Sequence, residues 1–575
     1  MKRGPFAQSE PESYVSFLSS AVTTVKNIFK DPPRRWLVVV VVCFVASRLF
    51  YTYFYGLKFE DNPLLDYMQY IDPLLLRTDL ARSIFYLRDQ PPLFNLFLGI
   101  VLKTCGNYSN AAFHATYFAL GFALVTSMYL VLVRVRVAPA FAALVAILFT
   151  VAPTTVLYEN WLFYTYPVAT LLSVSALFLH RYLTTKRRRD AVVFFSLLAT
   201  IALVRGIFHF VWLIALLVGL LIFAWPDRRR TLVAAAGPTL LVAAFYLKTL
   251  IVFGGLVSGQ TYQQLNFAGM TISHLPQKDR QALIKQKKVT PVTTAAIGDF
   301  TSFKQFAPYI PEHVPTGIPM LDQEKKSSGY TNWQHGSTAA IGALYARDAL
   351  VVNKLYPKLY WESVRSNFDV YAMVSSYTFP FGSSGSSNEK KIRTLVRAHD
   401  LHVGGETEVH QPVKRLVFGF LASIVFALAL SIRWLWRRRP AADAPRVLTV
   451  AFLLFNIFYV SAVTILFSWG DHNRYRFKVS PLYCILLGML VYAVWCRRGL
   501  LLWPYRRLRR GAAAPAPVPA VPSETIAPIE PLLAIPLIET ISAVEPVAPI
   551  KAAPALETLE PSARDQASEA DGPAP

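Results

Sequence analysis

The sequence predicts an all-α polytopic membrane protein with about ten transmembrane helices, amphipathic helices at the outer surface and one large extracytoplasmic loop. Three observations lead to this prediction. Of the 575 residues, 54% are hydrophobic and only 16% are charged, and the mean hydropathy is +0.37. Apolar segments long enough to cross a bilayer recur along the chain. Lysine and arginine gather in short tracts between these segments, as they do in cytoplasmic turns.

The formal charge of +23 does not indicate nucleic-acid binding. The cations are spread over the turns between apolar segments, and they form no continuous basic face. The four cysteines include no CxxC pair, so neither a disulfide framework nor a structural zinc site is predicted. We therefore expect membrane lipids, and no nucleic acid, among the partners.

The predicted spans follow from apolar length, and the arginine tracts test their order. The spans are 36–55, 110–132, 137–155, 161–181, 190–204, 207–225, 231–253, 416–435, 446–467 and 479–496. With a cytoplasmic N-terminus, every even-numbered span ends at a basic tract, which agrees with the positive-inside rule. The run Pro91–Leu102 is too short to cross about 30 Å of hydrocarbon, and we interpret it as a helix on the outer membrane surface.

This order of spans divides the chain into five parts. They are a cytoplasmic amphipathic segment (1–35), an N-terminal transmembrane module with an outer loop at 56–109 (36–253), an extracytoplasmic cap (254–415), C-terminal transmembrane helices with a basic cytoplasmic end (416–510) and a disordered cytoplasmic tail (511–575). The tail has no aromatic residue and is rich in Ala, Pro and Glu, which is typical of disorder. Both termini are predicted to be cytoplasmic.

The outer loop after the first span carries candidate acid–base residues. Asp66 and Asp72 alternate there with tyrosines and leucines, so this segment should lie against the bilayer with its acids partly desolvated. The alternative is a solvated loop in which acids need no purpose. Asp79 and Asp89 are expected to be solvated acids of this kind.

Cations at the outer ends of spans form the second candidate group. Arg205 and His209 lie between two apolar runs, and Arg474 and Arg476 follow His472 between the last two spans. Arginine suits a phosphate because its planar fork offers several donors. The alternatives are a turn whose arginine reaches the headgroups and a simple interfacial anchor. Two further candidates lie at the outer end of spans three and four, namely Glu159 and Asn160.

Four short motifs resemble those of the GT-C-type integral membrane glycosyltransferases, which include the protein O-mannosyltransferases and the lipid A aminoarabinose transferases. They are Asp66-Tyr-Met-Gln-Tyr70 after the first span, Gln90-Pro91-Pro92-Leu93 opening a short helix, Arg205-Gly206 before an outward turn, and the late stretch NRYRFKVSPL. The resemblance covers roughly residues 36–253 and 446–496. The family's common Asp-Glu pair is Asp66-Tyr67 here, which leaves Asp72 and Asp61 as alternatives for the base.

The resemblance implies transfer of a sugar from a polyprenyl-phosphate-linked donor to a glycan, lipid or protein acceptor on the extracytoplasmic face. Asp66, or Asp72, would deprotonate the acceptor. The leaving phosphate would be held by Arg205, Arg474 and Arg476, with Glu159, Asn160, His209, His472 and Gln90 as further substrate-site candidates. Mg²⁺ or Mn²⁺ could bridge Asp66 and the phosphate, although no ligand cluster requires it, and no other cofactor is expected.

A lipid or polyprenyl-phosphate transporter is the alternative function, in which the same cations would bind substrate without chemistry. Transporters usually place their charges at mid-bilayer in broken helices and often contain internal repeats. Here the charges lie at one rim and no repeat is evident. A membrane scaffold would leave the outer charged clusters unexplained. The short inner loops and the Arg- and Ala-rich composition suggest a bacterial inner membrane.

Overall fold

The computed structural model of the chain describes residues 31–224, 227–255, 259–298, 303–372, 386–399, 424–429, 433, 443–470 and 472–501. Most of the predicted N-terminal segment and of span 416–435, and the whole predicted tail, lie outside the described residues. Within the described ranges the regular structure is helical, and β structure is limited to the isolated bridges Glu60–Trp161 and Lys325–Thr331.

The α-helices of this part are α1 Pro32–Tyr55, α2 Pro63–Asp66, α3 Pro73–Thr78, α4 Leu80–Phe85, α5 Pro92–Cys105, α6 Ser109–Arg134, α7 Pro139–Val151, α8 Pro153–Glu159, α9 Thr165–Thr185, α10 Arg188–Val204, α11 Phe210–Phe223, α12 Arg228–Phe253, α13 Gln260–Thr271, α14 Gln277–Lys285, α15 Pro319–Asp322, α16 Ser337–Leu355, α17 Pro357–Ala372, α18 Ser387–His399, α19 Ala444–Phe467, α20 His472–Phe477 and α21 Ser480–Leu501.

Four helical stretches in the described ranges are long and apolar enough to cross a membrane: Pro32–Tyr55, Pro92–Arg134, Arg228–Phe253 and Ala444–Phe467. The bent pair α7 and α8 would be a fifth, while α11 and the residues Ser480–Cys496 are shorter apolar helices. These findings agree with a helical membrane protein. Ten spans are not shown, and that number stays a prediction.

The central helix α9 shows why fewer helices are apolar enough to count as membrane spans than the ten predicted. It packs against α6, α10 and α19, and most of its side chains are buried by protein. A helix surrounded by other helices can carry small hydroxyl residues that hydrogen-bond between helices. Ser173 Oγ accepts a hydrogen bond from Ser127 Oγ at 2.8 Å, and His180 Nδ1 lies 3.2 Å from Thr449 Oγ1. Such residues lower the hydropathy of α9.

Proline breaks the third predicted span, 137–155. Pro153 cannot donate a backbone hydrogen bond, and it disfavours helical geometry at the preceding residue. Ala152 is accordingly extended, with φ −57° and ψ 132°. The result is a bend of 62° between α7 and α8. This bend leads the chain into Glu159–Tyr164, which lies against the loop that follows α1.

Several basic turns meet at one end of the bundle. Lys186 Nζ lies 2.6 Å from Asp227 Oδ2, which joins the turn after α9 to the start of α12. Arg136 Nη1 lies 3.2 Å from Asp443 Oδ1, just before α19. The loops after α1, α8, α10 and α12 contact one another at the opposite end. Which end faces the cytoplasm stays a prediction.

The region between α12 and α19 has its own hydrophobic core. Buried side chains of α13, α14, α16 and the intervening turns form it, with Leu265, Leu283, Phe306, Ile341 and Tyr345 among them. This region, residues 259–372, is called the cap below. The cap lies against the loop after α1, and a cavity lies between the two.

Candidate functional site

A cavity of about 590 Å³ lies between the cap and the loop-bearing end of the bundle. We call it the first cavity. It is lined by Tyr67, Met68, Gln69, Asp89, Gln90, Arg205, Gly206, Ile207, Gly259, Tyr262, Gln263, Asn266, Phe267, Met270, Asn353, Tyr360, Val463, Leu466, Phe467, Ser468, Trp469, Arg474 and Tyr475. These residues come from five separate parts of the sequence, and three of them, Gln90, Arg205 and Arg474, were site candidates from the sequence.

Arg205 is held at the inner wall of the first cavity by its backbone. Helix α10 ends at Val204, and Arg205 is extended, with φ −143° and ψ 122°. Its carbonyl then accepts from Phe208 N at 3.0 Å, which closes a tight turn. The side chain is only 6% exposed. The turn therefore presents a buried guanidinium to the cavity.

Neutral groups surround this guanidinium. Arg205 donates to Gln69 Oε1, to Gln90 Oε1 at 3.3 Å and to Tyr475 OH at 2.9 Å, and it lies 4.4 Å from the centre of the Tyr164 ring. No described residue forms a salt bridge with it. Its buried Nε has no hydrogen-bond partner among them. A buried cation with a spare donor and no counter-charge suits an anionic ligand.

The late basic stretch divides between two environments. Arg474, 3% exposed, lines the first cavity and donates to Tyr164 OH at 3.0 Å. Arg476 instead donates to the Tyr371 carbonyl at 2.8 Å, and it is not among the cavity's lining residues. The ammonium of Lys478 lies 3.7 Å from the Tyr475 ring centre. Of the two arginines predicted here to bind phosphate, the structure brings only Arg474 beside Arg205.

Part of the lining of the first cavity is apolar. Phe267, Met270, Val463 and Leu466 line it. Two large side chains at its rim, Phe467 and Trp469, are 63% and 40% exposed. Phe467 ends α19, one of the helices long and apolar enough to span a membrane. An amphipathic ligand could therefore place an anionic head on Arg205 and an apolar chain along α19.

Asp89 corrects the expectation that it is a solvated loop acid. It is only 1% exposed and lines the first cavity. Its Oδ2 accepts from Arg88 Nη2 at 2.7 Å and from Thr261 Oγ1 at 3.0 Å. The partner Thr261 lies in the cap, 172 residues further along the sequence. A charge neutralised by Arg88 could be buried only because the fold brings Thr261 to it.

Asp66 lines another cavity, which has a volume of about 340 Å³ and is called the second cavity below. Tyr67 and Met68 line both cavities, so Asp66 lies just beyond the wall that they share. Although Asp66 is exposed, the protein around its carboxyl partly desolvates it and raises its pKa, and its own backbone N–H and the Lys326 charge oppose the rise. A carboxylate with a raised pKa is a better proton acceptor near neutral pH.

Asp72, the alternative base, lines neither of these cavities and is engaged by the cap. Its carboxylate accepts from Leu74 N at 2.9 Å and from Ser327 N at 2.7 Å, and Ser327 Oγ donates to it as well. It is 5% exposed. Nearby, Lys326 Nζ donates to the Tyr67 carbonyl at 2.8 Å. The geometry assigns Asp72 to fixing the cap onto the loop, as the N-cap of α3.

The remaining site candidates lie outside the linings of both cavities. Glu159 is buried and pairs with Arg48 of α1, and it accepts from Tyr166 OH at 2.6 Å. Asn160 donates to the Val156 carbonyl at 3.0 Å. His209 is the N-cap of α11. Burial lowers the pKa of His472 to about 4, so its ring is neutral at pH 7. Asp61, named as an alternative base, lines neither cavity.

The divalent metal considered from the sequence stays a prediction. Across the described ranges no group of three or more His, Cys, Asp or Glu side chains is placed to hold an ion. No step below includes a metal.

Removing the contact between Asp72 and Ser327 is expected to loosen the cap. Asp72→Ala and Ser327→Ala should each lower the melting temperature of the purified protein, since each leaves the other partner without its hydrogen bond. Because the two residues share one contact, the double variant should melt close to Asp72→Ala, with non-additive shifts. Asp79→Ala, a half-buried acid of the same loop, is the control. Fully additive shifts in a thermal melt would contradict the assignment.

Comparisons with known proteins give one structural match. No family model matches the chain, and neither does any curated protein. Among solved structures, the chain is similar to an oligosaccharyltransferase from Archaeoglobus fulgidus, crystallised with a tethered acceptor peptide. The match has 14% identity and a TM-score of 0.36, and covers 82% of this chain and 50% of that one. This chain thus spans half the length of that protein, and a score this low does not by itself establish a shared fold.

Proposed function

We propose that the protein is a membrane glycosyltransferase of the GT-C type, which transfers a sugar from a polyprenyl-phosphate-linked donor to an acceptor at the extracytoplasmic face. The observation that carries the proposal is Arg205. Its guanidinium is buried, lines the first cavity and has no salt bridge within the described ranges, and apolar side chains line the same cavity, including Phe467, which is 63% exposed at the end of α19. A phosphate on a long isoprenoid chain has the matching polarity.

The reaction divides between the two cavities. Arg205, with Arg474, stabilises the negative charge that develops on the phosphate as the glycosidic C–O bond breaks. Asp66, at the other side of Tyr67 and Met68, takes the proton of the acceptor hydroxyl as its oxygen bonds to the anomeric carbon. The guanidinium groups of Arg205 and Arg474 are held in place before the substrate binds. This preorganisation avoids the free-energy cost of orienting them during the reaction.

The products of a deletion strain test the proposed function. We expect mass spectrometry of surface glycolipids, glycans and glycoproteins to show one species that is lighter by one sugar residue when the gene is deleted. Expression of the parental chain should restore it, and Asp66→Asn should not. Full restoration by Asp66→Asn would favour the transporter alternative, because a transporter does not need this carboxylate as a base. Identical spectra for deletion and parental strains would contradict both functions.

A further inference from the structure

The lining of the second cavity indicates the chemical class of the acceptor, an inference that rests on the proposed function. Its lining is Glu60, Asn62, Pro63, Asp66, Tyr67, Met68, Trp161, Tyr330, Trp333 and Ser386. Four of these side chains are aromatic. They come from the loop after α1, from the segment after α8 and from the cap. The cavity therefore exists only where three parts of the chain meet.

The aromatic side chains of the second cavity differ in mobility. Trp161 is buried and stacks on Phe163 with ring centres 4.3 Å apart, so it forms a rigid wall. Trp333 stacks on Tyr262 with an interplanar angle of 2°. Tyr330 is 52% exposed, and its backbone carbonyl accepts from Lys326 N at 2.8 Å. Two fixed indoles and one accessible phenol line a space that is open to a ligand.

Two carboxylates, Glu60 and Asp66, are the charged groups in the lining of the second cavity, and neighbouring groups engage or offset both charges. Glu60 accepts from Ser387 N at 2.8 Å, from Asn388 N at 3.1 Å and from Ser386 Oγ at 2.6 Å, so its carboxylate caps α18. Burial lowers the pKa of Lys326 to about 8, while Asp72 and Asp66 raise it, so the ammonium remains mostly charged at pH 7. Its charge opposes that of Asp66. An uncharged ligand is therefore expected.

Asp66 supplies the polar contact for such a ligand. Asp66 is exposed, so its carboxylate is accessible to a ligand in this cavity. Ionised carboxylates are acceptors only, so they suit hydroxyl donors. The C–H faces of a pyranose ring carry partial positive charge and pack on the negative face of an aromatic ring. Aromatic walls with one open carboxylate match a neutral, hydroxyl-rich ring.

We propose that the second cavity binds the acceptor and that this acceptor is a carbohydrate. A pyranose ring packs against Tyr330 and Trp333, and one of its hydroxyls meets Asp66. The hydroxyl proton passes to Asp66, the oxygen forms the new bond to the anomeric carbon, and the bond to the donor phosphate breaks with its electron pair remaining on the phosphate. Tyr330 therefore contributes to the specificity of the protein for its acceptor. It lies in the same segment of the cap as Ser327, which contacts Asp72.

Saturation-transfer NMR on the purified full chain tests this proposal. The probes are methyl α-mannoside, methyl β-galactoside and cellobiose, with the peptide Ala-Ser-Ala at equal concentration. We expect saturation of the ring C–H protons of at least one sugar, reduced at least about threefold in Tyr330→Ala and preserved in Tyr330→Phe. The matched control is Tyr309→Ala, which removes an exposed tyrosine elsewhere in the cap.

Four outcomes would overturn the proposal. The first is no saturation of any sugar, and the second is equal saturation in the parental protein and in Tyr330→Ala. The third is saturation of the peptide alone, which would make the acceptor a polypeptide. Farnesyl phosphate and farnesyl phosphate mannose distinguish a bound acceptor from the sugar of the donor. In the fourth outcome the mannose compound alone displaces the bound sugar, which would assign the ring to the donor. Binding of farnesyl phosphate itself tests the first cavity separately.

Discussion

An Arg205→Ala variant is expected to bind undecaprenyl phosphate about 10- to 150-fold more weakly than the parental protein, since a hydrogen bond to a charged group contributes roughly 1.5–3 kcal/mol. The guanidinium is buried, its Nε has no hydrogen-bond partner and it forms no salt bridge in the described part of the chain. Arg205→Lys should recover only part of the affinity, because a point charge replaces a planar fork. Microscale thermophoresis in detergent measures both dissociation constants.

The control for this prediction is Arg476→Ala. Arg476 was predicted to bind phosphate as Arg205 does, but its guanidinium donates to the Tyr371 carbonyl and it does not line the first cavity. We expect this variant to lower the melting temperature while leaving the affinity for undecaprenyl phosphate within about twofold of the parental value, since uncoupled sites act independently. An affinity loss at Arg476 but none at Arg205 would refute the placement of the phosphate.

Asp66→Asn is expected to reduce sugar transfer by at least about 10²–10⁴-fold, which is the usual contribution of a general base. The amide keeps the shape of the side chain but cannot accept the proton. Donor binding should be unchanged, because Asp66 lines the second cavity and Arg205 the first. The predicted result is a fall in turnover at constant affinity for undecaprenyl phosphate.

Two further carboxylates calibrate the Asp66 result. Asp79→Asn should be nearly silent, because Asp79 is half-buried and lines neither cavity. Asp72→Asn should act through cap stability, and lowering the assay temperature should recover part of its activity. If Asp72→Asn were inactive at every temperature while Asp66→Asn remained active, the base would be Asp72.

The fold could be predicted where local signals were strong. Apolar runs marked α1, α6, α12 and α19, and proline signals placed the start of α5. The bend between α7 and α8 was missed because an apolar count ignores the geometry that Pro153 imposes on Ala152. Helix α9 is harder to recognise as a membrane span from its hydropathy. Other helices bury it, so it can carry polar side chains that lower its mean hydropathy.

The site could be predicted only in part. Gln90, Arg205 and Arg474 were identified from motifs, and the structure brings them to one cavity. Arg476 could not be told from Arg474 by composition, yet two residues along a helix turn a side chain about 200° away. The contributions of the cap were invisible, because Ser327 meets Asp72 across 255 residues of sequence. Asp89 was misjudged for the same reason, since its partner Thr261 lies 172 residues away in the sequence.

Sugar transfer from a polyprenyl phosphate converts the sugar-loaded lipid carrier into the free carrier, and both forms can be measured in cells. Lipid mass spectrometry gives the ratio of sugar-loaded to free polyprenyl phosphate in deletion cells that express either the parental chain or Asp66→Asn. We expect sugar-loaded carrier to accumulate with Asp66→Asn, because the donor still binds but no acceptor oxygen is activated. Equal ratios with the two chains, at equal expression, would contradict sugar transfer from this carrier.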